Sequence, residues 1–112
     1  MSKPVRLAIF AITLLTLAAC GQPVPNDKAA YVGEWESPTM SLMIPQSGNV
    51  RYKRVNGSVT SSVDAPLRGF EGDNFVVGIP FISTTFEVSK PPYQDAQAWK
   101  MVVDGVELTR AP

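Results

Sequence analysis

The sequence contains no histidine and a single cysteine, Cys20. Without histidine the chain lacks the side chain that most often acts as a general base or binds a metal at neutral pH. One cysteine cannot supply a disulfide or a cysteine-rich zinc site, and the acidic residues are scattered along the chain. We therefore expect no enzymatic activity, no metal site and no cofactor.

The chain also lacks an excess of positive charge. Lys and Arg total 10, as do Asp and Glu. Lys3 and Arg6 fall within the first 19 residues, so eight cations and ten acids follow them, a net charge of −2. Proteins that bind nucleic acid need cations to neutralise phosphates. We therefore expect no nucleic-acid partner.

The longest apolar run lies at the N-terminus. Residues 7–19, LAIFAITLLTLAA, carry no charge and follow the cationic Lys3 and Arg6. A helix rises 1.5 Å per residue, so this run is shorter than the roughly 30 Å of hydrocarbon that a membrane span must cross. The pattern predicts a helical secretory signal peptide over residues 1–19.

The end of this signal carries a motif. Leu17-Ala18-Ala19-Cys20 is followed by Gly21 and resembles the lipobox that signal peptidase II recognises in bacterial lipoprotein precursors. The resemblance implies cleavage before Cys20, diacylglycerol and an N-acyl chain on that cysteine, and attachment to a membrane. The alternative is an ordinary secretory signal with a cysteine at the cut by chance. Gly21, where an Asp would indicate retention in the inner membrane, favours sorting to the outer membrane.

After the signal, the composition divides the chain into a linker and a domain. Residues 20–30 hold two prolines and no periodic apolar face, and we interpret them as the lipidated cysteine with a flexible tether. Residues 31–112 contain short runs of alternating apolar and polar residues separated by turn signals. This pattern predicts an all-β domain, an antiparallel up-and-down meander of seven to eight strands rolled into a small barrel.

Individual strands can be read from the alternation and its interruptions. Asn56-Gly57 and Asp104-Gly105 predict tight hairpin turns of type I′. Pro66 is expected to end or bend a polar strand near a sheet edge or a barrel mouth, and residues 90–97, with Pro91-Pro92, to form the longest polar loop. The predicted strands are 40–44, 50–55, 59–63, 67–70, 75–79, 82–89, 99–103 and 106–110.

Gly33-Glu34-Trp35 at the start of the domain and Arg110 at the end of the last strand resemble a signature of lipocalins and related calycin barrels. The resemblance implies that Trp35 closes one barrel end and that Arg110 packs across its ring, which makes Gly33, Trp35 and Arg110 structural residues. It involves three residues and the strand pattern. The alternative is that Trp35 anchors the core of a β-sandwich.

Three further segments have competing interpretations. Arg51, Lys53 and Arg54 could meet anionic headgroups or an acidic partner, but we favour a solvated strand face. The uncharged residues 76–82 could form a barrel-mouth lip or docking surface, but we favour a strand buried on both faces. Residues 71–74, EGDN, are expected to form a plain turn rather than a calcium loop.

Two functions from different classes follow from these features. The first is a membrane-anchored envelope lipoprotein that binds a small apolar ligand or a protein partner. Its variants are an inhibitor of an envelope hydrolase and a structural lipoprotein without a small-molecule ligand. The second is an envelope enzyme, against which the absence of histidine argues. A ligand carrier would need an unfilled cavity, whereas an inhibitor or scaffold would have a packed interior and a distinctive exposed loop.

Overall fold

A computed structural model describes residues 22–112. The predicted signal peptide, the lipobox and Cys20 lie outside the described residues. Nine antiparallel strands form one curled half-barrel meander, which confirms the all-β prediction. In the described part of the chain, no helix is long and apolar enough to cross a membrane.

The strands follow one another along the chain with short connections. Their order in the sheet is β6-β5-β4-β3-β2-β1-β9-β8-β7. A 3₁₀ helix, Asn26–Tyr31, precedes them. The strands are β1 Gly33–Glu36, β2 Met40–Ile44, β3 Asn49–Asn56, β4 Val59–Glu71, β5 Asn74–Ile79, β6 Ile82–Phe86, β7 Val88–Asp95, β8 Ala98–Val103 and β9 Val106–Arg110.

The two edge strands of the sheet, β6 and β7, are consecutive in the chain and are separated only by Glu87. The Val88 amide donates to Asn74 Oδ1 at 2.8 Å, next to the start of β5. The Glu87 amide donates to Asp104 Oδ1 at 2.9 Å, and the Asp104 amide donates to the Glu87 carbonyl at 2.7 Å. These bonds hold the junction to both halves of the sheet.

The core lies inside the curl of the sheet, because alternate residues of each strand point to the concave face. In β2, Met40, Leu42 and Ile44 are buried while Ser41 is exposed. No polar or charged side chain among the described residues is buried. Twelve side chains are less than 2 % exposed: Trp35, Met40, Leu42, Ile44, Val50, Leu67, Phe75, Val77, Phe86, Met101, Val103 and Leu108.

The predicted polar loop over residues 90–97 is wrong, because most of it belongs to β7. Proline cannot donate a ladder hydrogen bond, but β7 is an edge strand and pairs only with β8 in the described sheet. The register shifts around Pro91-Pro92, and the pairing resumes at Tyr93. Ala96 and Gln97 then turn the chain with positive φ values of 51° and 69°.

Other strand boundaries also differ from the sequence prediction. Pro66 does not end its strand, since β4 runs through it, pairing with β3 up to Pro66 and with β5 from Leu67. The predicted strand over residues 82–89 is instead divided at Glu87, and residues 33–36 form a strand of their own. The sheet therefore has nine strands rather than seven to eight.

The two predicted hairpins are present, with one change. Asp104 and Gly105 have φ values of 48° and 79°, as a type I′ turn requires. In the other hairpin Asn56 pairs with Val59, so the turn residues are Gly57 and Ser58 rather than Asn56 and Gly57. Only Gly57 of that pair has positive φ, at 64°, which fits a type II′ turn instead.

The segment predicted as a flexible tether, residues 20–30, packs against the sheet in its described part, from Gln22 onward. Val24 is buried, its amide donates to the Gln46 carbonyl at 3.0 Å, and the Gln22 amide donates to the Leu67 carbonyl at 3.4 Å. The side chain of Tyr31 packs edge-on against Phe70 at 5.0 Å between ring centroids. Burial of apolar side chains holds this segment on the barrel in place of free linker conformations.

Candidate functional site

The three residues of the barrel motif lie together. Trp35 is fully buried and its indole Nε1 donates to the Tyr31 carbonyl at 2.8 Å. Trp35 and Arg110 are direct partners in the pairing of β1 with β9. The Arg110 guanidinium lies 5.7 Å from the Trp35 ring centroid and 5.1 Å from that of Trp99. One cation thus contacts two indole rings, an arrangement that stabilises both by cation–π attraction.

Gly33 allows this arrangement because it leaves room for the arginine. Its φ is +144°, a conformation that side-chain-bearing residues rarely adopt. A Cβ at position 33 would lie 2.7 Å from Arg110 Cδ. Gly33 and Arg110 are therefore coupled through space.

A groove of about 320 Å³ lies on the outer face of β1, β2 and β3. Its floor is formed by Ser41 and Met43 of β2. Glu34 and Glu36 of β1 form one wall, and the other consists of Arg51 and Lys53 on β3. Register places Glu34, Met43 and Arg51 in one row across the strands.

The groove carries opposite charges on its two walls. The walls are two strand spacings apart, or about 10 Å. None of the described ion pairs joins one wall to the other: Arg51 Nε instead lies 3.7 Å from Asp64 Oδ2 on β4. Both members of that pair are mostly exposed, so it contributes little to stability. The predicted basic group is thus solvent-exposed at Arg51 and Lys53 and half-buried at Arg54.

The hairpin between β5 and β6 exposes apolar side chains at its end. We call Ile79, Pro80, Phe81 and Ile82 the apolar tip. Phe81 is 95 % exposed and Ile82 is 72 % exposed. The favoured prediction of a strand buried on both faces is wrong here, because Phe75 and Val77 fill the core but the hairpin extends past it. Residues 74–86 contain no charged side chain.

A charged cluster lies on the outer face of β7, β8 and β9. Lys100 Nζ donates to Glu107 Oε1 at 3.3 Å, and the Tyr93 hydroxyl donates to Glu107 Oε2 at 3.2 Å. The hydrogen bond from Lys100 holds the pKa of Glu107 below its usual value, and the same bond raises the pKa of Lys100. These groups satisfy one another at the surface.

The turn at residues 71–74 has structural bonds rather than the geometry of a cation site. The Asp73 carbonyl accepts from the Tyr31 hydroxyl at 2.8 Å, and the Asp73 carboxylate lies 3.9 Å from Lys28 Nζ. The Asn74 side chain accepts from Val88. Within residues 22–112, no three acidic or cysteine side chains come together as metal ligands would.

No protein-family model, curated protein or solved structure matches this chain. The candidate sites are therefore those that the geometry presents: the groove and the apolar tip. The sequence motif pointed to Gly33, Trp35 and Arg110 but missed Trp99, although that residue opens the hairpin that ends in Arg110. It also missed the groove, because only strand register brings Glu34 and Arg51 into one row.

Proposed function

We propose that this protein is an envelope lipoprotein that acts as an interaction module. Acyl chains on Cys20 hold it in the outer membrane, and the barrel binds a protein partner through its outer surface without catalysing a reaction. The observation that carries this proposal is the filled interior, where twelve apolar side chains are less than 2 % exposed.

The filled interior favours a binding surface over ligand carriage. A carrier of a small apolar molecule needs a cavity of several hundred cubic ångströms inside the barrel. Here Phe75 and Phe86 stack at 4.9 Å, and Tyr52 packs edge-on against Phe86 at 5.0 Å. These rings pack against one another inside the curl of the sheet, which favours recognition on its outside.

The groove on β1, β2 and β3 is the surface we assign to the partner. A partner segment with an acidic and a basic side chain about 10 Å apart would meet Arg51 and Lys53 on one wall and Glu34 and Glu36 on the other. Charges arranged in this way give specificity and fast association more than affinity. The binding is therefore expected to weaken as the salt concentration rises.

The anchor is tested by Cys20→Ser in the full-length chain. A serine cannot accept diacylglycerol through a thioether, so the variant should lose labelling by radioactive palmitate and accumulate as the uncleaved precursor. Ser2→Ala, a change of similar size away from the cysteine, is the control. Normal processing of Cys20→Ser would contradict the proposed anchor.

The partner is tested with a photo-reactive amino acid at Ser41, in the groove, in the lipidated protein in its own cells. One defined adduct heavier than the chain is expected there, and none from the same group at Ser89 on β7. Replacing Arg51 and Lys53 with glutamate should remove the adduct. Equal adducts at both positions would contradict the groove assignment, and a small molecule bound at stoichiometric amounts in native mass spectrometry would favour a carrier.

A further inference from the structure

We propose that the apolar tip inserts into the same membrane that holds the lipid anchor, so that the domain lies on the bilayer in one orientation. This inference rests on the proposed lipidation of Cys20. It adds a second membrane contact, made by the hairpin between β5 and β6, and with it a fixed direction for the groove.

The first step is how little chain separates the lipid from the folded domain. Gln22 is bonded to the Leu67 carbonyl and thus belongs to the barrel. Cys20 precedes it by two residues, which span at most about 7 Å when fully extended. The domain therefore cannot move away from a bilayer that holds the acyl chains, and whatever surface surrounds Gln22 must face the headgroups.

The second step places the apolar tip near Gln22. Leu67, to which Gln22 is bonded, is the register partner of Val77 on β5. Ile79 lies two residues further along β5, so strand rise and strand spacing put it about 12 Å from Gln22. A bilayer that holds the anchor can therefore contact the apolar tip as well.

The third step is the chemistry of the tip. Phe81 and Ile82 are the most exposed large apolar side chains among the described residues, at 95 % and 72 %. Transfer of such exposed apolar side chains from water to hydrocarbon is favourable. Residues 74–86 carry no charge, so insertion of the hairpin brings no ion into the bilayer. The side chain of Arg68, beside Leu67, is exposed and can meet anionic headgroups.

A second membrane contact changes what the anchor does. Acyl chains alone leave a domain free to rotate about its attachment point, whereas two contacts fix its tilt. β2, which forms the groove floor, lies four strands away from β6 in the sheet order. The tip and the groove thus lie on different strands of the curled sheet, so insertion of the tip does not use the residues of the groove.

The test measures the depth of the tip with tryptophan fluorescence. The lipidated, processed Phe81→Trp protein is reconstituted in vesicles of phosphatidylethanolamine and phosphatidylglycerol whose acyl chains are brominated. Its emission is corrected for that of Trp35 and Trp99, measured in the parent protein. We expect a blue shift and loss of emission by bromine quenching. Ser41→Trp, on the exposed floor of the groove, is the matched control and should show neither effect.

The outcomes separate the two proposals because the mass of the acyl chains on Cys20 is measured on the same preparation. Lipidated Phe81→Trp that remains unquenched, like Ser41→Trp, would overturn the membrane contact while leaving the anchor intact. A blue shift without bromine quenching would also overturn it, because it would indicate that a protein covers the tip. Protein without lipid would overturn the proposed anchor and, with it, the basis of this inference.

Discussion

At the scale of single residues, Trp35 connects several elements of the described structure. It is completely buried, it is bonded to the segment before β1 through Tyr31, and it shares the Arg110 cation with Trp99. These contacts join the first strand, the last hairpin and the preceding 3₁₀ helix. Loss of the indole should therefore destabilise elements other than β1.

We predict that Trp35→Ala lowers the free energy of unfolding by about 3 to 5 kcal/mol, because a large buried ring leaves a cavity. Arg110→Ala should cost less, about 0.5 to 2 kcal/mol, the range of cation–π contacts. Urea unfolding measures both. Arg68→Ala is the control, since Arg68 is exposed on β4. A Trp35→Ala variant as stable as the parent would contradict the contribution of the ring to the core.

At the scale of elements, the side chain of Asn74 is one of the groups that hold the junction between β6 and β7. Asn74 Oδ1 accepts the Val88 amide at 2.8 Å in a partly buried position. No strand of the described sheet pairs with β6 on its outer side or with β7 at the opposite edge. The asparagine thus replaces a ladder hydrogen bond where the sheet is interrupted.

We predict that Asn74→Ala destabilises the fold by about 1 to 3 kcal/mol, because it leaves the Val88 amide without its acceptor. Amide hydrogen exchange should speed up at Val88 more than at Val50, in the middle of the sheet. Asn49→Ala, an exposed asparagine on β3, provides the comparison and should change little. Equal effects of the two substitutions would show that the bond at Val88 does not hold the junction.

The sequence predicted correctly those strands and turns whose structure is set by residues close to them in the chain. The alternation of residues 40–44 and the Asp104-Gly105 turn are examples, since both are set by adjacent residues. β7 was missed because Pro91-Pro92 locally favours a loop, and pairing with β8 overrides that preference at an edge. Local sequence cannot report where an edge will lie.

The same distinction applies to the candidate sites. Gly33, Trp35 and Arg110 could be picked out because a motif names them, and the structure brings them into contact. The exposure of Phe81 could not be predicted from the run of apolar residues alone. It depends on how far β5 extends past the residues that it packs against, which is a property of the whole sheet.

At the scale of the whole molecule, the segment before β1 links the start of the chain to the barrel, and Tyr31 makes that link sensitive to high pH. Its side chain is buried and its hydroxyl donates to the Asp73 carbonyl. Burial, and to a lesser degree the charge of Asp73, raise the pKa of Tyr31 to about 12. The neutral phenol is therefore the form that the folded state favours.

We predict that stability falls between pH 10 and pH 12, because there the unfolded chain gives up the Tyr31 proton while the folded chain still holds it. Below that range both states hold the proton and the contribution is complete. The loss at pH 12 should be about 2 kcal/mol. Urea unfolding at rising pH measures it. Tyr31→Phe should reduce the fall in the free energy of unfolding with pH, whereas the control Tyr52→Phe should leave it unchanged. An unchanged fall in Tyr31→Phe would exclude Tyr31 as its source.

The pairing of β1 with β9 has a consequence for how the chain folds. The other strand pairs join consecutive strands, whereas Trp35 and Arg110 are partners across nearly the full length of the domain. Closing so long a loop costs the most entropy, and topologies with such contacts fold more slowly. A chain that emerges N-terminus first therefore carries an unpaired β1 edge until its final residues are free to pair. We expect the interval before β9 pairs with β1 to be when the chain is most prone to aggregate and most in need of a chaperone.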